Sequence, residues 1–208
     1  MAMGDIINFV WKWDFIVFQF ATEVGAGWTP WNDWLVKFRG EYLAYILLGV
    51  FILIPLVADL ISRLAPYRKQ KWEVFWVGFI SAAIARFGIA ELVRLMYDRE
   101  RPFQVIKNVH QVIVHESGSS FPSGHATFFF ALAAAVSVYH PKTGIFFFVG
   151  AILMGIARVS AGIHWPSDIL AGAMIGTVCG LVGPWIYTRF IRPKLEARKY
   201  PSASGQGK

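Results

Sequence analysis

Three short stretches of this sequence carry side chains suited to moving a proton or gripping an anion: Arg94 to Pro102, Phe121 to His125, and Arg158 to Asp168. In the middle stretch, Phe121-Pro122-Ser123-Gly124-His125, the proline predicts a helix start, because its missing N–H is one of the unbonded donors of a first turn. The N–H groups of Ser123 and Gly124 are then free, with the positive end of a helix dipole behind them. Gly124 has no Cβ to keep an oxyanion away. His125 follows, a group that trades a proton near neutral pH.

In the last stretch Pro166 again predicts a helix start, so Asp168 falls in its first turn and reaches back to the imidazole of His164. A carboxylate on one ring nitrogen fixes the tautomer and leaves the other nitrogen as a lone-pair nucleophile. Arg158 arrives at the same point from the preceding helix. In the first stretch Arg94 and Arg101 stand seven apart, nearly two turns, and share a face if the helix persists. Two planar guanidinium groups can clamp one phosphate. Read singly, each stretch has a plain structural account. His125 and His164 could be satisfied histidines, Arg94 and Arg99 could snorkel to a membrane interface, and Pro102 could simply end a helix. Their value lies in the combination.

The elements that must position these residues are read from hydropathy. Of 208 residues, 56% are hydrophobic and 16% aromatic, which points to one domain in a membrane. The expected fold is an all-α integral-membrane bundle of about six transmembrane helices. The first candidate, Ile6 to Ala21, is the weakest, broken by Lys12, Asp14 and Gln19, and is expected to cross the membrane or to lie on it. Val24 to Gly40 reads as a connecting loop with an aromatic belt. Glu41 to Leu64 and Trp72 to Tyr97 are the second and third spans, and Arg86 and Glu91 inside the third should face the bundle or each other. Asp98 to Ser120 is a long polar loop over the site, its Val109 to Val114 a candidate hairpin or lid. Pro122 to Tyr139, Thr143 to Gly162 and Pro166 to Phe190 complete the set. Gly172, Gly176 and Gly180, four apart, form a small-residue stripe suited to packing inside the bundle, or to a homodimer face. The domain expected is 1–190, followed by a basic cytoplasmic tail, 191–208, partly disordered.

The net charge of +7 does not call for nucleic acid, because the basic residues cluster in short turns between apolar spans. Arg63, Arg68, Lys69 and Lys71, then Lys142, then the tail fall on one side, which the positive-inside rule makes cytoplasmic. The three stretches with chemistry fall on the other, extracytoplasmic side. Cys179 lies in an apolar run and reads as a small buried hydrophobe. The start of the chain lacks the pattern of a cleaved signal, so its retention is expected. His110 and His115 lie in the loop without partners at metal-ligand spacing.

As a set, the stretches resemble the type 2 phosphatidic acid phosphatase superfamily, whose pattern is Lys-x6-Arg-Pro, then Pro-Ser-Gly-His, then Ser-Arg-x5-His-x3-Asp. Two positions depart from it, Arg94 in place of Lys and Ala157 in place of Ser. The resemblance implies a metal-independent lipid phosphatase with no cofactor, working through a phosphohistidine. His164 would attack phosphorus, Asp168 orient it, and His125 protonate the leaving oxygen and then activate water. Arg94, Arg101, Pro102, Arg158, Ser123 and Gly124 would hold the phosphate. Undecaprenyl diphosphate is the substrate this favours, with phosphatidylglycerophosphate and phosphatidate as alternatives. Rivals of another kind are a vanadate haloperoxidase, which hydropathy disfavours, and a non-enzymatic scaffold or lipid transporter, which has no need of an oriented nucleophile.

Overall fold

The computed structural model describes residues 3–25, 29–61, 68–115 and 117–199, and every regular element among them is helical. α1 (Met3–Gly25) is followed by α2 (Pro30–Lys37), whose start is built locally. The Thr29 hydroxyl accepts the Asn32 N–H at 3.2 Å, and Pro30 occupies the first helical position. The helix continues through a π turn, Phe38–Tyr42, into α3 (Leu43–Ile61). Most of the expected loop from Val24 to Gly40 is therefore helical. Trp31, Trp34 and Phe38 recur at helical spacing with rings stacked at 5.2 and 5.4 Å, so the aromatic belt runs along α2.

α4 (Arg68–Ala83), a π turn at Ile84–Ile89 and α5 (Ala90–Met96) make one continuous helix. A single turn, α6 (Pro102–Val105), stands in the loop where a hairpin or lid was expected, and Val109 to Val114 forms no strand. Then come α7 (Gly124–Tyr139), α8 (Pro141–Ser160) and α9 (Pro166–Ile186). A third π turn, Tyr187–Ile191, carries the last helix on into α10 (Arg192–Lys199). The expected boundary at residue 190 falls inside this run, and the end of the tail, from residue 200, lies outside the described residues, as does Arg63.

Four runs are long and apolar enough to cross a bilayer, Pro30–Val57, Lys71–Met96, Pro141–Ser160 and Pro166–Arg198, and α7 is a shorter apolar fifth. α1 is not among the four, yet it packs on α8 and α9 rather than lying apart. Its Asp14 is fully buried, while Phe9, Ile16 and Phe20 on its outer side are exposed. A helix with its carboxylate inward and apolar side chains such as these outward suits a lipid surround.

α7 sits at the centre, with α9, α8 and α4 against it. The glycine stripe explains the closest of these contacts. A Cβ at Gly172 would come within 2.7 Å of the Ser123 carbonyl, and one at Gly176 or Gly180 would strike the carbonyl of Thr127 or Ala131. The stripe is thus consumed in packing α9 on α7 and does not offer a dimer face. Opposite it Ala131, Ala133, Ala134 and Ala135 are all buried, so two backbones run close together along the bundle axis.

Candidate active site

Three proline-led turns deliver the site. Pro102 and Pro166 open α6 and α9 as first-turn prolines. Pro122 does not. α7 begins at Gly124 with Ser123, whose backbone is extended, as its cap, and tertiary bonds hold this entry: Ser123 N–H donates to the Asp168 carbonyl at 3.0 Å, and Arg94 Nη2 donates to the Pro122 carbonyl at 2.8 Å. The Ser123 N–H is therefore occupied, and the donors left at this terminus are the N–H groups of Gly124, His125 and Ala126.

His164 lies at the centre, buried, in the connection between α8 and α9. Gly162, at φ 79°, turns the chain there in a conformation that favours glycine. The Nδ1 atom of His164 faces Asp168 Oδ2 at 3.5 Å and the Ser120 hydroxyl at 3.4 Å; Nε2 faces Arg101 Nη1 at 3.4 Å. These partners assign the proton to Nδ1, leaving the Nε2 lone pair toward Arg101. Burial pushes the imidazole down to about 4, against the pull of Asp168 in the other direction, so the ring is neutral at pH 7.

Asp168 is fully buried and fully bonded. One oxygen takes Arg99 Nη1 at 2.8 Å; the other takes the Trp165 N–H at 2.8 Å and the Ser120 hydroxyl. Arg99 does not snorkel: it is buried between Asp168 and Asp14 of α1, the latter at 2.6 Å.

Arg94 and Arg101 meet the site by a route different from the one their spacing suggests. α5 stops at Met96, where Tyr97 turns extended, so the two do not share a helix. Arg101 is instead fixed by the carbonyls of Gly118, Ser119 and Ile163 at 3.2, 3.2 and 2.9 Å. Burial lowers its pKa from the ordinary value, and Arg94 adds to that through like charge. Pro102 is buried as the start of α6, and its contribution is to aim Arg101. Arg158 is buried, with Nη1 on the Gly40 carbonyl at 2.9 Å, a group presented by the first π turn. Ala157, where the resembled pattern has Ser, packs toward the same Gly40.

Two further residues stand at the site. Arg86, on the second π turn, pairs with Glu91 and lies so close to Gly124 that any Cβ there would strike its guanidinium. Glu91 also binds Arg94 at 2.9 Å, which couples the two arginines. His115 brings its ring to 6.5 Å from that of His164, whereas His110 pairs with Asp33 at 2.9 Å. Hydropathy could flag Arg86 as an unusual intramembrane charge, but nothing in the spacing of His115 could place it here. His125 lies within electrostatic reach of Arg158, His164, Arg86 and His115.

The arrangement gathers a neutral, carboxylate-oriented imidazole, two further histidines, five arginines and a helix N-terminus. Among the described residues, the Ser123 hydroxyl and the Nε atoms of Arg94 and Arg158 are buried donors without partners, spare capacity for an anion. No group of three or more His, Cys, Asp or Glu side chains gathers as metal ligands would among those residues.

Such a site on a membrane helix bundle defines a class of phosphoryl-handling integral membrane protein. Residues 73–192 match the PAP2 superfamily, and the chain belongs to it. The chain is 30% identical over 170 residues, 81% of its length and 77% of the other's, to the Bacitracin transport permease protein BcrC of Bacillus licheniformis. It is 33% identical over 114 residues, 55% of its length and 58% of the other's, to the Undecaprenyl-diphosphatase BcrC of Bacillus subtilis. The crystal structure of Aquifex aeolicus LpxE has a similar fold, with a TM-score of 0.60 at 24% identity over 81% of this chain and 93% of that one.

Proposed function

We propose that this membrane lipid phosphatase hydrolyses an isoprenoid diphosphate, undecaprenyl diphosphate in the first instance, through a phosphohistidine on His164 at the extracytoplasmic face. The observation that carries the reading is His164 itself: neutral, turned by Asp168, its free Nε2 facing Arg101. Nε2 attacks the terminal phosphorus, a bond forms between them, and the bond to the leaving oxygen breaks. His125 gives that oxygen a proton, then takes one from the water that cleaves the phosphohistidine. Arg94, Arg101, Arg158, the Ser123 hydroxyl and the Gly124 N–H balance the charge on the equatorial oxygens. No step calls for a metal ion.

Arg86 favours a diphosphate over a monoester. It lies beside Gly124 and within reach of His125, the side on which the leaving group departs, so a leaving group that is itself a phosphate finds a cation there. The relative named Undecaprenyl-diphosphatase supports the same reading. The name of the Bacillus licheniformis relative speaks of transport, but a carrier has no use for an oriented nucleophile. The extracytoplasmic placement rests on Lys142 and the basic residues of α10, which lie at the opposite helix ends from the site.

The test is phosphate release from undecaprenyl diphosphate, phosphatidylglycerophosphate and phosphatidate, each with and without chelator. Release should be fastest from the diphosphate, indifferent to chelation, and abolished together with covalent phosphate labelling in His164→Ala. Strict restoration by magnesium after chelation, or near-normal turnover in His164→Ala, would overturn the mechanism. A preference for either monoester would overturn the substrate.

A further inference from the structure

Asp14 stands N-terminal to the residues that match the family, yet it is tied to the site more tightly than most of them. One of its oxygens accepts Arg99 Nη2 at 2.6 Å and the Ser167 hydroxyl at 2.6 Å; the other accepts the Ser167 N–H at 2.8 Å. Every partner is a donor, the set of contacts a carboxylate accepts. Arg99 in turn gives Nη1 to Asp168 Oδ1 at 2.8 Å and to Ser167 at 2.6 Å. Its guanidinium lies against both indoles, 4.6 Å from the Trp11 ring and 5.3 Å from that of Trp165, which meet each other edge-on at 5.5 Å. Trp11, Asp14 and Phe18 line one face of α1, and Phe18 closes on Trp165 at 5.4 Å. Asp14, Arg99 and Asp168 are all buried, so the three charges act on one another with little screening by water.

We propose that Asp14 and Arg99 are positioning residues for the nucleophile, and that α1 belongs to the catalytic apparatus through them. Two carboxylates against one guanidinium leave the Asp14–Arg99–Asp168 chain with one net negative charge beside a neutral His164. When Nε2 bonds to phosphorus the ring becomes cationic while keeping its Nδ1 proton, and the chain then matches that charge one for one. Without Asp14, Arg99 spends its whole charge on Asp168. The pair becomes neutral, and the carboxylate is drawn away from Nδ1, which it reaches only at 3.5 Å even now. Asp14 divides the attention of Arg99 and keeps Asp168 available to the imidazole.

The inference rests on the phosphohistidine reading above, and the test separates the two. Turnover of farnesyl diphosphate in detergent is compared for the full-length chain and for Asp14→Asn, Asp14→Glu, Arg99→Gln and the Asp14→Asn/Arg99→Gln pair. Each is normalised to the number of sites that bind vanadate at saturation. Asp14→Asn keeps size and hydrogen bonding but removes the charge; kcat per competent site should fall about tenfold to a hundredfold. KM should stay within about twofold, and Asp14→Glu should restore part of the rate. Once Arg99 is gone, Asp14→Asn should cost nothing further, because its effect travels through that guanidinium. If Asp14 were only a structural tie, the variant would lose competent sites and thermal stability, yet each remaining site would turn over normally, and the inference would fail. A normal His164→Ala would fail the phosphohistidine reading first, whatever Asp14 did.

Discussion

At the scale of single residues the site depends on close approach between charges and groups too small to obstruct them. A methyl at Gly124 would strike the guanidinium of Arg86, so Gly124→Ala should displace that arginine and Arg86→Gln should remove it. Both should reduce turnover of the diphosphate, by on the order of 100-fold if Arg86 meets charge that develops on the departing phosphate. A parallel assay on phosphatidate should show a much smaller loss, and equal losses on both substrates would deny Arg86 its role in selecting the diphosphate. His164 supplies a dependence on pH. Below the ordinary 6.5 the unfolded chain takes up a proton that the buried ring refuses until about 4. Its contribution to stability is therefore complete above about 6.5 and is lost as pH falls from there toward 4. Thermal midpoints measured between pH 7 and 4 should fall more steeply for the natural chain than for His164→Gln.

The elements were legible in the sequence to different degrees, and the physical reason differs for each. α7, α8 and α9 are apolar except near their ends, and two of them begin at a proline, so hydropathy and end signals agree. α2 was hidden because Trp31, Trp34 and Asp33 look like belt and loop, and only the helical spacing of the rings reveals it. The grouping of His125, His164, Asp168, Arg101 and Arg158 could be expected from their types and from the membrane face they share. What could not be read was the route: Arg101 arrives on backbone carbonyls after the helix has ended, and Ser123 spends its N–H on Asp168. Asp14 looked like a flaw in a weak span, because pairing partners 85 and 153 residues away leave no local trace. The glycine stripe gives the clearest test at this scale. Gly176→Val places branched bulk against the Thr127 carbonyl, where both neighbours are rigid backbone, and should lower stability by about 1–3 kcal/mol or more. A thermal midpoint equal to that of the natural chain would show that α7 and α9 can move apart freely.

At the scale of the whole molecule, the proposed orientation rests on where charge and chemistry sit along the bundle. The site, the loop carrying Lys107 and the start of α2 gather at one end, as the bond between His110 and Asp33 shows; the turn carrying Lys142 joins the other ends of α7 and α8. In a Cys179→Ala background, Lys107→Cys should react with a membrane-impermeant thiol reagent added to intact cells, and Lys142→Cys should react only after permeabilisation. The reverse pattern would put the chemistry in the cytoplasm, out of reach of a diphosphate on the outer leaflet.

The bond between Asp14 and Ser167 joins residues 153 apart in sequence, and it gives synthesis an order. A ribosome delivers Asp14 85 residues before Arg99 and 153 before Ser167, so the first helix is made with a carboxylate whose partners do not yet exist. Those partners are complete only once the first turn of α9 has been made. The proposed nucleophile, His164, and Asp168 follow in that same late stretch. A partly made chain therefore lacks both the partners of Asp14 and the residues proposed to cut a phosphate, and both are supplied together.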